Sequence, residues 1–275
     1  MIPRKFSFEL HSLALLSALA ATTQVNAALS LDFNTPGDFS SNFSTAQTPA
    51  IVESASGGLN GSGSVDLSGL GGTVINFYTL NTSFSGSLSS WTASVYYHGD
   101  ANAFYQFGFT TDAAPGESGS FMSQDGGTTF LPFIYLGSGN ADGGSVGFIG
   151  YHSGLSSTDD HVVETNIDLP ETDAWYRYDL GVNYLGGDSY QITATLSQAS
   201  SDGSVVSTLG TITGTTLNPA LAADDSVHLY FGLYDGAALD QFETTAVTLV
   251  PEPTSALLLL GGMVGFGFRR RRDVR

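Results

Sequence analysis

Apolar residues in this chain recur at every second position, in short runs broken by turn-forming residues. "SYQITATLSQ" (189–198) sets Tyr190, Ile192, Ala194 and Leu196 on one face and Gln191, Thr193, Thr195 and Ser197 on the other. "SVHLYFGLYDG" (226–236) repeats the pattern with Val227, Leu229, Phe231 and Leu233. A period of two with one apolar face describes a strand whose two sides meet different environments, core on one and water on the other. Segments of the same kind occur at 73–80, 87–99, 102–111, 130–137, 144–154, 161–169 and 175–186. Their separators, such as "HGDAN", "GNADGG" and "YLGGDS", combine glycine, aspartate, asparagine and serine, which tolerate the dihedrals of tight turns. No segment between residues 28 and 250 carries a helical apolar stripe. About ten to thirteen short strands predict an all-β fold, a two-sheet antiparallel β-sandwich of the jelly-roll kind. Their unequal spacing argues against a propeller or solenoid. With no charged or proline-rich linker to divide it, residues 28–249 read as one domain.

Composition bears on whether such strands can bury a core. Glycine is abundant at 34 residues, yet the aromatics recur throughout and the apolar runs alternate, unlike a low-complexity tract. Roughly 220 residues suffice for a core without covalent staples. Cysteine is absent, which removes thiol nucleophiles, thiolate metal sites and iron–sulfur ligation.

Charge is divided sharply along the chain. Of 26 Asp and Glu residues, all but Glu9, Glu252 and Asp273 lie in the central domain, where the only Lys or Arg of the chain's eight is Arg177. Such a domain repels phosphates, which are held by lysine and arginine, so nucleic acid is excluded as a partner. Cations and neutral molecules are the compatible ligands.

The remaining basic residues mark the ends. "MIPRKFSFELHSLALLSALAATTQVNA" has Arg4 and Lys5 first, an apolar run over Leu13 to Ala21, and small residues at Val25 and Ala27. That is the layout of a secretory signal peptide spanning 1–27, cleaved by signal peptidase after Ala27. At the other end, residues 250–275 hold Pro251-Glu252-Pro253, an apolar segment over about 254–268, and Arg269, Arg270, Arg271 and Arg272 within the basic tail 269–275. Arginines beyond an apolar segment stay cytoplasmic, leaving the acidic domain outside. As a hydrophobic helix, residues 254–268 span about 22 Å against a hydrocarbon core of roughly 30 Å, a short transmembrane helix suited to transient inner-membrane association.

This tail resembles the PEP-CTERM sorting signal of exported proteins in Gram-negative bacteria. The resemblance implies recognition by an exosortase through Pro251, Glu252, Pro253 and the four arginines. A membrane-associated precursor is then processed and delivered to the outer surface or released. The resemblance covers about 25 residues and labels the route taken, not the work of the central domain.

Within that domain the sequence offers few catalytic patterns. His98, His152, His161 and His228 are scattered, with no HExxH pair. No GxSxG elbow occurs. "DDHVVE", with Asp159, Asp160, His161 and Glu164, is the densest polar cluster and reads as a solvated loop entering a strand. Glycoside hydrolysis needs two carboxyl groups across a sugar cleft, and no alternating Glu-x-Asp-x-Glu strand supplies them. Arg177 falls out of phase with Tyr176, Tyr178 and Leu180, which predicts pairing with an aspartate or cover of a sheet edge by its stem. Tyr96 and Tyr97 fall on opposite faces, so one of them is available to stack on a sugar ring or to pack across strands.

Calcium is the cofactor the acidic loops suit, since six to eight oxygens can come from carboxylates and backbone carbonyls. Asp32 in "LSLDFNTPGD" lies in the expected first strand and Asp240 in "DGAALDQFE" in the expected last one. If those strands pair, the two carboxylates converge on one structural calcium. Otherwise each caps a turn or faces water.

The central domain resembles concanavalin A-like or LamG-like sandwiches through "LDFNTPGDF", "GGLNGSGSV" (57–65), "WYRYDL" (175–180) and "FGLYDGAALDQF" (231–242). Such domains bind sugars, enclose calcium or act as enzymes. The expectation is an exported cell-surface or extracellular-matrix protein of a biofilm, carbohydrate-binding and non-enzymatic, with extracellular polysaccharide as its partner. A polysaccharide-active hydrolase and a membrane-retained adhesion protein are the alternatives.

Overall fold

A computed structural model describes residues 28–45, 51–67, 76–99, 104–111, 133–141, 144–152, 161–165, 173–234 and 238–246. All of them lie in one compact unit running from Ala27 to Val247. The expected signal peptide, the hydrophobic helix and the sorting residues Pro251, Glu252, Pro253 and Arg269 to Arg272 lie outside the described residues. No helix among the described residues is long and apolar enough to cross a membrane.

The described residues form two antiparallel sheets. The first has eight strands. From one edge these are β13 (Val205–Leu217), β12 (Ser189–Ala199), β11 (Ala174–Gly186), β6 (Ser90–Gly99), β15 (Ala238–Thr244), β4 (Ser64–Asp66) and β3 (Val52–Ser54), while β1 (Leu29–Leu31) also pairs β15. The second has seven: β10 (His161–Thr165), β9 (Gly144–His152), β8 (Phe133–Ala141), β7 (Phe104–Thr110), β14 (Val227–Tyr234), β5 (Asn76–Phe84) and β2 (Phe43–Ser44). Fifteen strands exceed the number expected. The additions include strands of two or three residues, too short to show a period, and β13, where glycines and runs of threonine hide the alternation. "YLGGDS" makes the β11–β12 turn, with positive φ at Gly187 (57°) and Asp188 (65°), as a type I′ hairpin requires.

The alternating faces meet between the sheets. Tyr190, Ile192, Ala194 and Leu196 of β12 and Val227, Leu229, Phe231 and Leu233 of β14 are all buried in one core. Phe231 is near its centre, with ring centroids 5.4 Å from Phe107, 5.1 Å from Phe43 and 5.6 Å from Phe242 on the opposite sheet. Burying a side chain of this size contributes about 1.5–3 kcal/mol. Tyr97 faces this core, whereas Tyr96 is on the outer side of the first sheet and is nonetheless buried.

β14 departs from the half-buried expectation. His228 and Tyr230, on its other side, are buried too, and His228 Nδ1 is 2.7 Å from the Leu80 carbonyl oxygen. With Gly232 they form a set that contains no Asp, Glu, Lys or Arg, so hiding this side from water does not bury a carboxylate, ammonium or guanidinium.

Two five-residue helices punctuate the sheets: α1 (Asp38–Asn42) and α2 (Pro219–Ala223). At α2 the Asn218 side chain accepts a hydrogen bond from Leu221 N at 3.1 Å, with Pro219 at the first helical position, where its missing N–H is harmless. At α1 no local side chain caps the helix. Glu53 of β3 accepts from the backbone N–H groups of Gly37 (2.6 Å), Phe39 (3.3 Å) and Ser40 (2.9 Å) instead.

Candidate functional site

The outer face of the first sheet is organised in rows, because antiparallel partners directly opposite each other project to the same side. One row crosses six strands: Thr211, Thr195, Asp179, Ser94, Glu243 and Ser30 stand opposite one another in turn. The next row on one side runs Thr213, Thr193, Gly181 and Thr92. On the other side it runs Thr208, Ser197, Arg177, Tyr96 and Asp240. Every side chain in the first row is a hydroxyl or a carboxylate.

These rows enclose a trough of about 500 Å³, bounded by Ala28–Ser30 and Glu243–Thr245 along one side and by β11 and β12 along the other. Gly181 leaves its floor open: a Cβ built there has only the Thr193 carbonyl oxygen within reach, at 3.8 Å. Asp179 and Glu243 both line the trough with the strand of Ser94 between them, about 10 Å apart at two inter-strand spacings.

Arg177 stands at the end of the trough and is locked in place. Its Nε and Nη2 both donate to Asp179 Oδ1 at 2.9 Å, and its guanidinium is 5.5 Å from the Tyr96 ring centroid. Nη1 donates to the Tyr96 hydroxyl at 3.4 Å, and that hydroxyl donates to the Gly203 carbonyl at 2.9 Å. Burial works against the guanidinium charge, but Asp179 outweighs it, so Arg177 stays protonated. Of the two roles expected for it, pairing with an aspartate or covering a sheet edge, the structure shows the pairing. The ion pair is partly exposed, so its role is orientation more than stability.

Asp240 lies at the far side of this face. β1 pairs β15 with Leu31 opposite Phe242, so the first and last strands meet as expected, although Asp32 falls just past the end of β1. The pairing brings Asp32 close enough to raise the Asp240 pKa. Burial is the larger cause, and hydrogen bonds from Ser62, Leu59 and Gln241 oppose both. Asp240 is fully buried. Its Oδ2 accepts from Leu59 N (2.8 Å) and Ser62 Oγ (2.7 Å), and its Oδ1 from Gln241 N (2.7 Å). Asp32 is exposed and accepts from Asn34 N at 3.2 Å. Among the described residues no three His, Asp or Glu side chains are grouped to hold a metal.

The "DDHVVE" cluster is only partly visible: His161 to Glu164 enter β10, while Asp159 and Asp160 lie outside the described residues. Sequence reasoning missed the trough altogether. Its residues come from strands distant in the chain, and only the alternation of "WYRYDL" and "QITATLSQ" signals which of them face outward.

Comparison with known proteins adds two findings. Residues 249–272 match the PEP-CTERM protein-sorting motif. The chain carries an exosortase sorting signal. The PEP-CTERM motif marks it as exported, with transient membrane anchoring before processing. The sandwich resembles a Bacillus subtilis protein of unknown function with a galectin-like fold, at a TM-score of 0.50 and 10% identity, covering 80% of this chain and 96% of that one. Other similar structures are the Emp46p carbohydrate recognition domain (TM-score 0.46, 10% identity, 76% of this chain and 90% of that one) and a PL-14 alginate lyase from Aplysia kurodai (TM-score 0.46, 12% identity, 71% and 86%). The likeness to the Bacillus subtilis protein shows a galectin-like fold and nothing of activity. A search of curated proteins finds no match.

Proposed function

We propose that the PEP-CTERM motif delivers this sandwich to the cell surface or extracellular matrix, where it binds glycan without altering it. The trough is the binding site, and the six-strand row of hydroxyls and carboxylates is the observation that carries this reading. Sugar hydroxyls both donate and accept, so they suit a surface where Thr, Ser, Asp and Glu offer both roles. Arg177 adds fixed donors, and its charge is already balanced by Asp179. Glu243 and the acidic domain around it repel uronates and sulfated chains, so the ligand is a neutral polysaccharide segment.

Gly181→Val tests this. A valine suits a strand, and its Cβ meets only the Thr193 carbonyl oxygen at 3.8 Å, an ordinary contact. Wild type should be retained on immobilised neutral polysaccharide, while the variant melts at the same temperature and loses at least tenfold in affinity. Equal binding by both proteins overturns the site, and absence of wild-type binding to any glycan overturns the function.

A structural calcium belongs to the same proposal. Asp240 Oδ1 takes one hydrogen bond and keeps a lone pair, and Asp32 is exposed beside it. These two carboxylates would hold the ion, with carbonyls and water completing its shell. Its contribution there is charge compensation between the chain's first and last strands.

One observation favours a second reading, hydrolysis. Asp179 and Glu243 line the same trough, as the two carboxyl groups of a glycosidase must. Release of reducing ends from a bound polysaccharide, abolished by Glu243→Gln, would establish it. A third reading, retention in the membrane as an adhesin, predicts that the intact mass of the surface protein still includes the arginine tail.

A further inference from the structure

We propose that β13 is the seam of a homodimer, pairing antiparallel with β13 of a second copy so that the first sheet continues from one molecule into the next. This inference is independent of the glycan reading and rests on how differently the sheet edges are protected.

An edge strand offers unpaired N–H and C=O groups to any other strand, and proteins guard against this with short strands, charge, proline or bulges. Three edges here are guarded. β3 has three residues including Glu53, β2 has two, and β10 has five including Glu164. β13 has thirteen residues, "VVSTLGTITGTTL", with no charge and no proline. In a domain so rich in carboxylates, this is a long edge along which a second copy meets no opposing charge on the strand itself. Of the exposed large hydrophobic residues among those described, Val205 (48%), Val206 (63%) and Leu217 (61%) are on this strand, against Val52 and Leu185 elsewhere. Strand β12 pairs one side of β13, and no described strand pairs the other.

The register follows from the same data. β13 is bulged against β12 between Leu196/Ser197 and between Gln198/Ala199, which disturbs its first half. The regular half begins at Gly210. Two copies related by a two-fold axis keep the same face outward only if the axis passes through a residue, because side chains alternate. An axis at Thr213 lies within the regular half and sets Thr211 opposite Thr215. The hydroxyl ladder already present, Thr195 to Thr211 at 3.1 Å and Thr193 to Thr213 at 3.4 Å, then runs across the seam. The threonines that extend each trough row thereby become shared between the two molecules.

The chain has no cysteine, which makes a direct test possible. Residues directly opposite in an antiparallel pair have Cα atoms about 4.5–5.5 Å apart, within the roughly 4.4–6.8 Å that a disulfide spans. In the full chain, Thr213→Cys under mild oxidation should form a disulfide dimer at least tenfold faster than Ser87→Cys, an exposed turn position in the control. Thr213→Glu opposes two carboxylates at the axis, and should weaken dimerisation at least tenfold in sedimentation equilibrium while circular dichroism shows the monomer still folded. Cross-linking of Thr213→Cys no faster than the control overturns the proposal. So does a wild type that sediments as a monomer at about 100 μM, or association that Thr213→Glu leaves intact.

Discussion

The backbone N–H of Leu59 donates to Oδ2 of Asp240 across 2.8 Å, joining residues 181 positions apart. Around this bond the chain is held tightly. A Cβ at Gly58 would collide with the Gly63 carbonyl oxygen and would lie 2.5 Å from Asp240 Oδ2. Asn60 (φ 56°) and Gln241 (φ 47°) both take the left-handed conformation. Gln241 does so within the β15 irregularity between Asp240 and Glu243, where an extra residue turns the carboxylate toward the 58–62 loop.

Asp240→Ala should therefore cost far more than a surface substitution. It leaves Leu59 N and Gln241 N without their acceptor, while Ser62 Oγ keeps the Leu59 carbonyl at 2.6 Å, and a loss of about 2–4 kcal/mol is expected. Gly58→Ala should be of similar size through its collisions. Gly61→Ala, at positive φ but in open space, should cost only about 1 kcal/mol. Urea titration of the three variants checks the ranking.

Two carboxyl groups give opposite pH signatures. Asp240 has a raised pKa, chiefly from burial, so the folded state holds its proton more tightly than the unfolded state does. Its contribution to stability is greatest below the unfolded value of 3.8 and declines as pH rises through the higher folded value. For Glu53, burial raises the pKa, but hydrogen bonds from Ser40, Gly37 and Phe39 together outweigh it and leave it lowered. Its contribution is complete above the unfolded value of 4.5 and is lost as pH falls through the folded value. Glu53→Gln should cost about 1 kcal/mol at pH 7, as loss of a helix cap does, and should flatten the acid limb below 4.5 in stability measured against pH.

Calcium should stabilise the wild-type domain. An ion that binds only the folded state raises stability with the logarithm of its free concentration. Wild type is expected to melt several degrees higher in millimolar calcium than in excess chelator, and Asp32→Asn to gain much less. Identical wild-type melting in both, with no calcium by elemental analysis, removes the ion from this corner.

Processing should depend on the sorting tail and not on the sandwich. Glu252→Ala or Pro253→Ala should leave membrane-associated precursor of higher mass, with the sandwich still folded. Normal surface delivery and unchanged mature mass in both variants would contradict exosortase recognition through these residues.

Much of the architecture was legible because it is periodic. The alternation in "QITATLSQ" and "VHLYFGL" marked the inward faces of β12 and β14 correctly, and "YLGGDS" marked its turn. Burial of the other side of β14 was not legible, since His228 and Tyr230 are compatible with water as well as with partnered burial. β13 escaped notice for a related reason: with threonine on one face and glycine interrupting the other, its period is faint.

By itself the sequence determined the strongly alternating strands such as β12 and β14, their inward faces, the acidic surface and the sorting tail, all of which depend on residues near one another in the chain. Only the tertiary structure decided that Asp179, Ser94 and Glu243 share a trough, that Asp240 anchors the 58–62 loop, and that β12 is the one described strand paired with β13. Those relations depend on which strands become neighbours. That choice is set by packing two sheets around Phe231, Phe107 and Phe242, a collective property that no local period encodes.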